Sequence, residues 1–236
     1  MDPRDSANGA VTWHDSIADA FDGRYSRSPR FIERLAVWRD LIAHYVSPGD
    51  QVLDAGCGSG VFSFEAAARG ASVQAIDGSA EMIAIARRRQ DELGDASVEF
   101  RVGLIEELRT WPAASFDVVM ASSVVEYLPD LASEIASFSR LLRPGGHLIV
   151  SVPNAASLYR RAERALYRLI GWPRYYAHVR SIATPSVFRS IMAGAGLETL
   201  DLRFYADPPI PLTAARMMGG SAARKTLFVA VGRKAG

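Results

Sequence analysis

The chain has 236 residues, 49% of them hydrophobic, so it can bury the core of one α/β domain with insertions but is short for two full domains. Its formal charge of +1 supplies no overall field for nucleic acid, and its one cysteine, Cys57, excludes an internal disulfide framework and a cysteine-cluster metal site. No run approaches the ~20 apolar residues of a membrane span, and a reducing cytoplasmic setting is the simplest expectation.

Residues 1–14 mix Asp, Arg, Ser, Asn and Gly without the apolar stretch of a signal peptide and read as a flexible tail. Residues 15–236 then form one domain. Between 17 and 46, Phe31, Leu35, Trp38, Leu41, Ile42 and Tyr45 recur at helical spacing until Ser47-Pro48-Gly49, which predicts a helical cap over 15–48. Strands at 51–55, 72–76, 98–102, 116–121 and 147–152 alternate with helices at 60–69, 79–90 and 131–142. That alternation predicts an α/β, doubly wound parallel sheet. Arg143-Pro144-Gly145-Gly146 reads as a helix stop and tight turn before the fifth strand. A last helix at 184–195 and strands at 196–205 and 225–232 complete the chain, with Pro208 to Gly220 as a mobile loop bordering the pocket.

The most informative stretch is Val52-Leu53-Asp54-Ala55-Gly56-Cys57-Gly58-Ser59-Gly60, an apolar strand running into a glycine turn. Glycines let a ligand lie against the backbone and permit the tight strand-to-helix turn, so a nucleotide site is implied. A dinucleotide loop spaces its glycines G-x-G-x-x-G, whereas here Val61 stands at the third glycine position. Asp54 beside the loop would repel a pyrophosphate and attract an ammonium or sulfonium group. Gln74-Ala75-Ile76-Asp77 follows one strand-helix-strand step later, and the Asp77 carboxylate can accept hydrogen bonds from ribose hydroxyls.

Asp54, Gly56, Gly58, Gly60 and Asp77 together resemble the class I S-adenosylmethionine-dependent methyltransferases, whose first motif is D/E-x-G-x-G-x-G. The resemblance implies a Rossmann-like sheet of about seven strands with an antiparallel last strand. It implies S-adenosylmethionine as cofactor, S-adenosylhomocysteine as product, and a binding set of Asp54, Gly56, Cys57, Gly58, Gly60, Asp77, Gly78, Met82, Leu104, Ile105 and Ser122. Tyr25 of the cap would place its hydroxyl near the methionine end. After the third strand the family writes Gly-Asp-Ala, and this chain writes Gly103-Leu104-Ile105 followed by Glu106 and Glu107. Leu104 and Ile105 can cover an adenine face, and either glutamate is a substitute for the missing acid.

After the fourth strand, Val124-Val125-Glu126-Tyr127-Leu128-Pro129-Asp130 is similar to the Val-Leu-Glu-His-Val-Pro-Asp stretch of quinone-type O-methyltransferases, whose acids help hold a metal. Glu126 keeps one acid, but Ser123 and Tyr127 replace another acid and the histidine, so no metal is expected. Tyr127 either orients substrate or packs under the cofactor.

Residues 154–181 read as a helical lid insertion above the methyl donor. Helical spacing puts Leu158, Ala162, Ala165, Leu166 and Leu169 on one stripe and Arg160, Arg164 and Arg168 on the opposite side, followed by Trp172, Tyr175, Tyr176 and His178. Either the arginines are solvated, or they meet an acidic or phosphorylated acceptor or anionic lipid. His178 is the candidate general base for a hydroxyl acceptor. The expected activity is methyl transfer to a small-molecule hydroxyl, with nitrogen or carbon acceptors as alternatives. A non-catalytic S-adenosylmethionine-binding protein and a nicotinamide oxidoreductase are the competing classes. The partner is a small acceptor, acidic or amphiphilic in character; no nucleic acid is expected, peripheral membrane contact is left open, and the assembly is a monomer or homodimer.

Overall fold

The computed structural model describes residues 28–94, 97–211, 215, 217 and 219–236. Seven strands, β1 (Gln51–Ala55), β2 (Ser72–Asp77), β3 (Val98–Val102), β4 (Phe116–Ala121), β5 (Leu142–Pro153), β6 (Leu197–Tyr205) and β7 (Leu227–Lys234), form one sheet in the order β3-β2-β1-β4-β5-β7-β6. β1 to β5 are parallel, and β7 lies antiparallel between β5 and β6. The expected α/β sheet and its antiparallel end are therefore both present.

Among the described residues the helices are α1 (Pro29–Tyr45), α2 (Val61–Ala67), α3 (Ala80–Leu93), α4 (Leu131–Leu141), α5 (Leu158–Ile170), α6 (Pro185–Gly194) and the single turn α7 (Ser221–Arg224). Successive strand residues point to opposite faces, so each strand feeds two cores. Val52, Val118 and Ile149 pack with Trp38, Leu41 and Ile42 of α1, Phe62 of α2 and Ile83 of α3. Their neighbours Leu53, Val119 and Leu148 pack with Ile135 and Phe138 of α4 and Phe188 of α6. Each fully buried Leu, Ile or Phe side chain contributes about 1.5–3 kcal/mol, and Trp38 adds a stack on Phe62 at 4.8 Å. Pro29 opens α1 at a position where a missing N–H costs nothing, and this helix is the described part of the expected cap.

The chain winds outward from β1 to β3 and then crosses to β4 on the other side of β1. The C-terminal ends of β1 and β4 flank this reversal, the place where open α/β sheets form a crevice.

Two expectations need correction. Arg143-Pro144-Gly145-Gly146 is not a turn ahead of the fifth strand but a bulge within β5: Phe116 faces Leu142 and Val118 faces His147, so the intervening residues loop out opposite Asp117. Gly145 has φ +81°, which only glycine adopts freely, and Arg143 pairs with Asp117 at 2.6 Å.

The second concerns α5. Its expected apolar stripe faces outward: Leu158, Ala162, Ala165 and Leu169 are exposed, Leu169 to 80%. The face turned to the protein carries Tyr159, Arg160, Glu163 and Tyr167; Arg160 and Glu163 are hydrogen-bonded to neighbouring elements and Tyr167 stacks on Tyr176 at 5.8 Å. Periodicity finds the two faces of a helix, but specific polar partners decided which one is covered.

Candidate functional site

The turn after β1 is held by backbone bonds. Gly56 N and Cys57 N donate to Ile76 O of β2 at 2.8 and 3.1 Å, and Gly60 N donates to Cys57 O at 3.0 Å. Asp77, at the end of β2, ties this turn to the next one. Its Oδ2 accepts from Gly58 N and its Oδ1 from Ser79 N, each at 2.8 Å. Ser79 Oγ in turn accepts from Met82 N at 3.1 Å and caps α3.

The glycines serve different ends. All three adopt positive φ, +76° at Gly56, +54° at Gly58 and +78° at Gly60. A Cβ on Gly56 would lie 2.6 Å from Val124, and one on Gly60 2.7 Å from Phe100, so those two allow close packing of the protein on itself. Nothing lies within 4 Å of the corresponding position on Gly58, which therefore keeps the turn open on its outer side.

A cavity of about 300 Å³ opens over this turn at the C-terminal edge of β1 and β4. Its first wall is Gly56 to Ser59, Asp77, Gly78 and Met82; Leu104, Ile105 and Glu106 close the end beyond β3. Glu107 is directed elsewhere, accepting from Leu104 N at 2.9 Å and pairing with Arg101 at 2.8 Å. The opposite wall consists of Arg30, Phe31 and Arg34 from α1, Ser122 to Val124 and Glu126 to Leu128 after β4, Arg160 of α5, and Tyr205, Ala206 and Leu227 around the β6–β7 connection.

Asp54 and Gly60 do not line this cavity. Asp54 is 1% exposed beneath the turn and accepts a 2.6 Å hydrogen bond from the hydroxyl of Ser63. Burial pushes its carboxyl up to about 7, opposed by the Ser63 hydrogen bond and reinforced by the nearby Asp77 charge. The carboxylate expected to face a ligand cation instead sits one layer below it. Cys57 does line the cavity, where burial raises its thiol well above the ordinary range and makes it a poor nucleophile.

The segment after β4 is locally strained: Ser123 is a non-glycine at φ +57°, held by a 2.8 Å bond from its N to the buried Ser151 Oγ. Arg34 crosses from α1 to donate to Ser122 O at 3.1 Å and Ser122 Oγ at 2.7 Å, its guanidinium 5.4 Å from the Phe62 ring centroid. Glu126 is buried, and burial pushes its carboxyl up to about 7 against the opposing charges of Arg34 and Arg160. Tyr127 lines the cavity, and burial raises its phenol above the ordinary value.

On the far wall Arg160 donates from Nε to Thr226 O at 3.3 Å and from Nη1 to Tyr175 Oη at 2.7 Å; that hydroxyl donates to Glu163 at 2.8 Å. Arg30 donates to the Thr226 hydroxyl at 3.3 Å. Its acidity is raised first by burial and then by the charge of Arg160. The α1 side of this wall is pinned by Lys225, which pairs with Glu33 at 2.6 Å and Asp207 at 2.8 Å.

Of the residues expected from sequence, Gly56, Cys57, Gly58, Asp77, Gly78, Met82, Leu104, Ile105, Ser122 and Tyr127 meet at this cavity. His178 is not among its lining residues, and Tyr25 lies outside the described residues. Arg164 and Arg168 are exposed, so of the arginine ladder Arg160 alone lines the cavity. Arg30, Arg34 and Tyr205 carry no sequence signal for their place, since they arrive from segments remote from every motif. Among the described residues no three His, Cys, Asp or Glu side chains are grouped to hold a metal ion.

The family model of the methyltransferase domain matches residues 46–185. A ubiquinone biosynthesis O-methyltransferase of Hahella chejuensis is 35% identical over 170 residues, spanning 69% of this chain and 69% of that protein. Among solved structures, magnesium protoporphyrin IX methyltransferase of Synechocystis, with S-adenosylhomocysteine bound, has a TM-score of 0.74 at 16% identity, covering 98% of this chain and 100% of that one. A [4+2]-cyclase shares the fold at a TM-score of 0.71 and 19% identity, covering 96% of this chain and 95% of its own.

Proposed function

The chain belongs to the methyltransferase domain family as a class I S-adenosylmethionine-dependent enzyme, and from that premise we propose that it methylates a hydroxyl oxygen of a small acidic acceptor. The reading is carried by one cavity in which the Asp77–glycine wall is continuous with a wall bearing Arg30 and Arg160. A shared fold would not suffice, because one neighbour with this architecture is a cyclase.

The residues present fit the cofactor. Each Asp77 oxygen accepts a backbone N–H, and a carboxylate oxygen has lone-pair capacity for a ribose hydroxyl as well. Gly58 leaves room for the ligand to lie on the turn, Met82, Leu104 and Ile105 supply apolar cover for the adenine, and Glu106 is the acid nearest that end. Arg34 is placed to pair with the amino-acid carboxylate. Gly60 and Asp54 support the turn from below, Asp54 through Ser63. When bound, S-adenosylmethionine supplies a methyl group activated by its sulfonium charge.

For the acceptor, Arg30 and Arg160 place two guanidinium groups near Thr226, and the hydrogen-bond partner of Arg30 among the described residues is a hydroxyl. Glu163 pairs with Arg160 at 3.5 Å, and Arg30 adds a second desolvated cation to this wall, so a carboxylate or phosphate on the acceptor is the complement. The exposed apolar stripe of α5 within the proposed lid, residues 154–181, suits an amphiphilic acceptor or peripheral membrane contact. The relatives named as ubiquinone O-methyltransferases favour oxygen over nitrogen or carbon. We place the enzyme in the cytoplasm, where the single buried thiol of Cys57 stays reduced.

Two measurements test this reading. Calorimetry should detect S-adenosylhomocysteine binding, and its absence refutes the cofactor assignment. Transfer of labelled methyl should favour 3-hydroxybenzoate over 3-hydroxybenzyl alcohol and 3-hydroxybenzylamine. Preference for the amine, with label on nitrogen, replaces the O-methyltransferase reading with an N-methyltransferase.

A further inference from the structure

One carboxyl group in the cavity wall is left over by the cofactor contacts. Glu126, in the short turn Val125–Tyr127 after β4, is 7% exposed and lines the cavity, and its Oε2 is fully buried without a hydrogen-bond partner among the described residues. An orphaned buried acceptor is costly, so a protein retaining one has a use for it or a ligand that satisfies it. Its backbone is fixed rather than adaptable: Glu126 O accepts from Arg180 N at 2.7 Å and from Ser181 N at 3.1 Å, which ties this turn to the end of the proposed lid.

Resting on the methyltransferase reading above, we propose that Glu126 is the general base of the reaction, its carboxylate taking the proton of the acceptor hydroxyl. The O–H bond breaks and its proton goes to the Glu126 carboxylate. The oxygen pair forms the bond to the methyl carbon, and the methyl–sulfur pair stays on sulfur, which leaves as a neutral thioether. The proton is then released to solvent with the product.

The surroundings suit a base that works near neutrality. Burial raises the Glu126 carboxyl to about 7, while a hydrogen bond from its own backbone N–H, then Arg34 of α1 and Arg160 of α5, favour its charged form. The other ionisable groups facing it are Tyr127 beside it and Tyr205 of β6, both phenols raised by burial and so neutral in this range. A base is most effective when its pKa lies near the working pH. No histidine among the described residues lines the cavity, so His178, the base expected from sequence, is replaced by Glu126.

The test uses the full chain and two acceptor probes. The hydroxyl of 3-hydroxybenzoate is protonated at neutral pH, whereas that of 4-hydroxy-3-nitrobenzoate is already ionised and needs no base. Glu126→Gln should lower methylation of the first by ~10²-fold or more and lose its rise with pH through about 7, yet leave the second within a few fold. Glu126→Asp should restore part of the lost rate. Equal losses on both probes, or an unchanged pH profile, overturn the proposal.

A second readout needs no turnover. In the complex with S-adenosylhomocysteine, the visible titration of bound 4-hydroxy-3-nitrobenzoate should move to lower pH in Glu126→Gln, because an adjacent negative charge is gone. Coincident titrations also overturn it. Calorimetry with S-adenosylhomocysteine separates the two levels: a chain that fails to bind it refutes the methyltransferase site, whereas failure of the probe experiments alone refutes the base.

Discussion

Replacing Asp77 by asparagine preserves shape but removes the two-acceptor geometry on which its position depends. Asp77 accepts one backbone N–H on each oxygen, from Gly58 and from Ser79, both at 2.8 Å. Asparagine has one acceptor oxygen and one NH₂ group, so whichever way the amide lies, a donor faces a donor. One charge-assisted hydrogen bond worth about 1.5–3 kcal/mol is lost, and an N–H is left without its acceptor. The proposed ribose contact loses a charged acceptor of similar worth, and ~1.4 kcal/mol is a tenfold change in Kd. Calorimetry with S-adenosylhomocysteine should show Asp77→Asn binding ~10- to 150-fold more weakly than the parent, and no better than Asp77→Ala, which admits water to the turn. The free Asp77→Asn protein should also melt lower by ~2–4 °C for each kcal/mol lost in a domain of this size. Affinity within threefold of the parent, at an unchanged melting temperature, would refute both the hydrogen-bond analysis and the assignment.

Asp54 makes stability depend on pH in a defined direction. Its folded value near 7 lies above the ~3.9 of an unfolded chain, so the folded state binds more protons between them, and this group's contribution declines as pH rises through that window. Asp54→Asn, which can still accept from Ser63, should flatten the melting profile between pH 5 and 8 in calorimetry, and an unchanged slope contradicts it. Gly60→Ala forces a Cβ to 2.7 Å from Phe100 at φ +78°, so denaturant titration should show a loss of about 2 kcal/mol or more. Gly58→Ala meets no atom within 4 Å; its loss should stay near the ~1–2 kcal/mol of the left-handed backbone, while the added methyl weakens S-adenosylhomocysteine binding. Arg30→Gln and Arg160→Gln should each erase the preference for 3-hydroxybenzoate over 3-hydroxybenzyl alcohol, with added salt narrowing that preference in the parent; a retained preference in both variants removes the anion site.

Much of the scaffold was legible because its determinants are local. Alternating apolar runs specify strands, helical spacing specifies α1, α3 and α4, and a strand running into Gly56, Gly58 and Gly60 makes a turn with few other solutions. Asp77 was legible for the same reason, since one strand-helix-strand step fixes where it emerges. The bulge at Arg143–Gly146 was missed because Pro-Gly-Gly signals a break in hydrogen bonding without saying whether the strand has already begun.

What the sequence determined by itself is the sheet and the turn, set by spacing along the chain, and, through its family resemblance, the methyl donor. Tertiary structure alone decided that Asp54 lies under the turn, that α5 covers its polar face, that His178 does not line the cavity, and that Arg30, Arg34, Glu126 and Arg160 meet within it. The physical reason is the same in each case. Burial and charge pairing among residues distant in sequence depend on which face an element presents, and helical or strand periodicity leaves that choice open until partners such as Tyr175, Thr226 and Ser63 supply the hydrogen bonds that settle it.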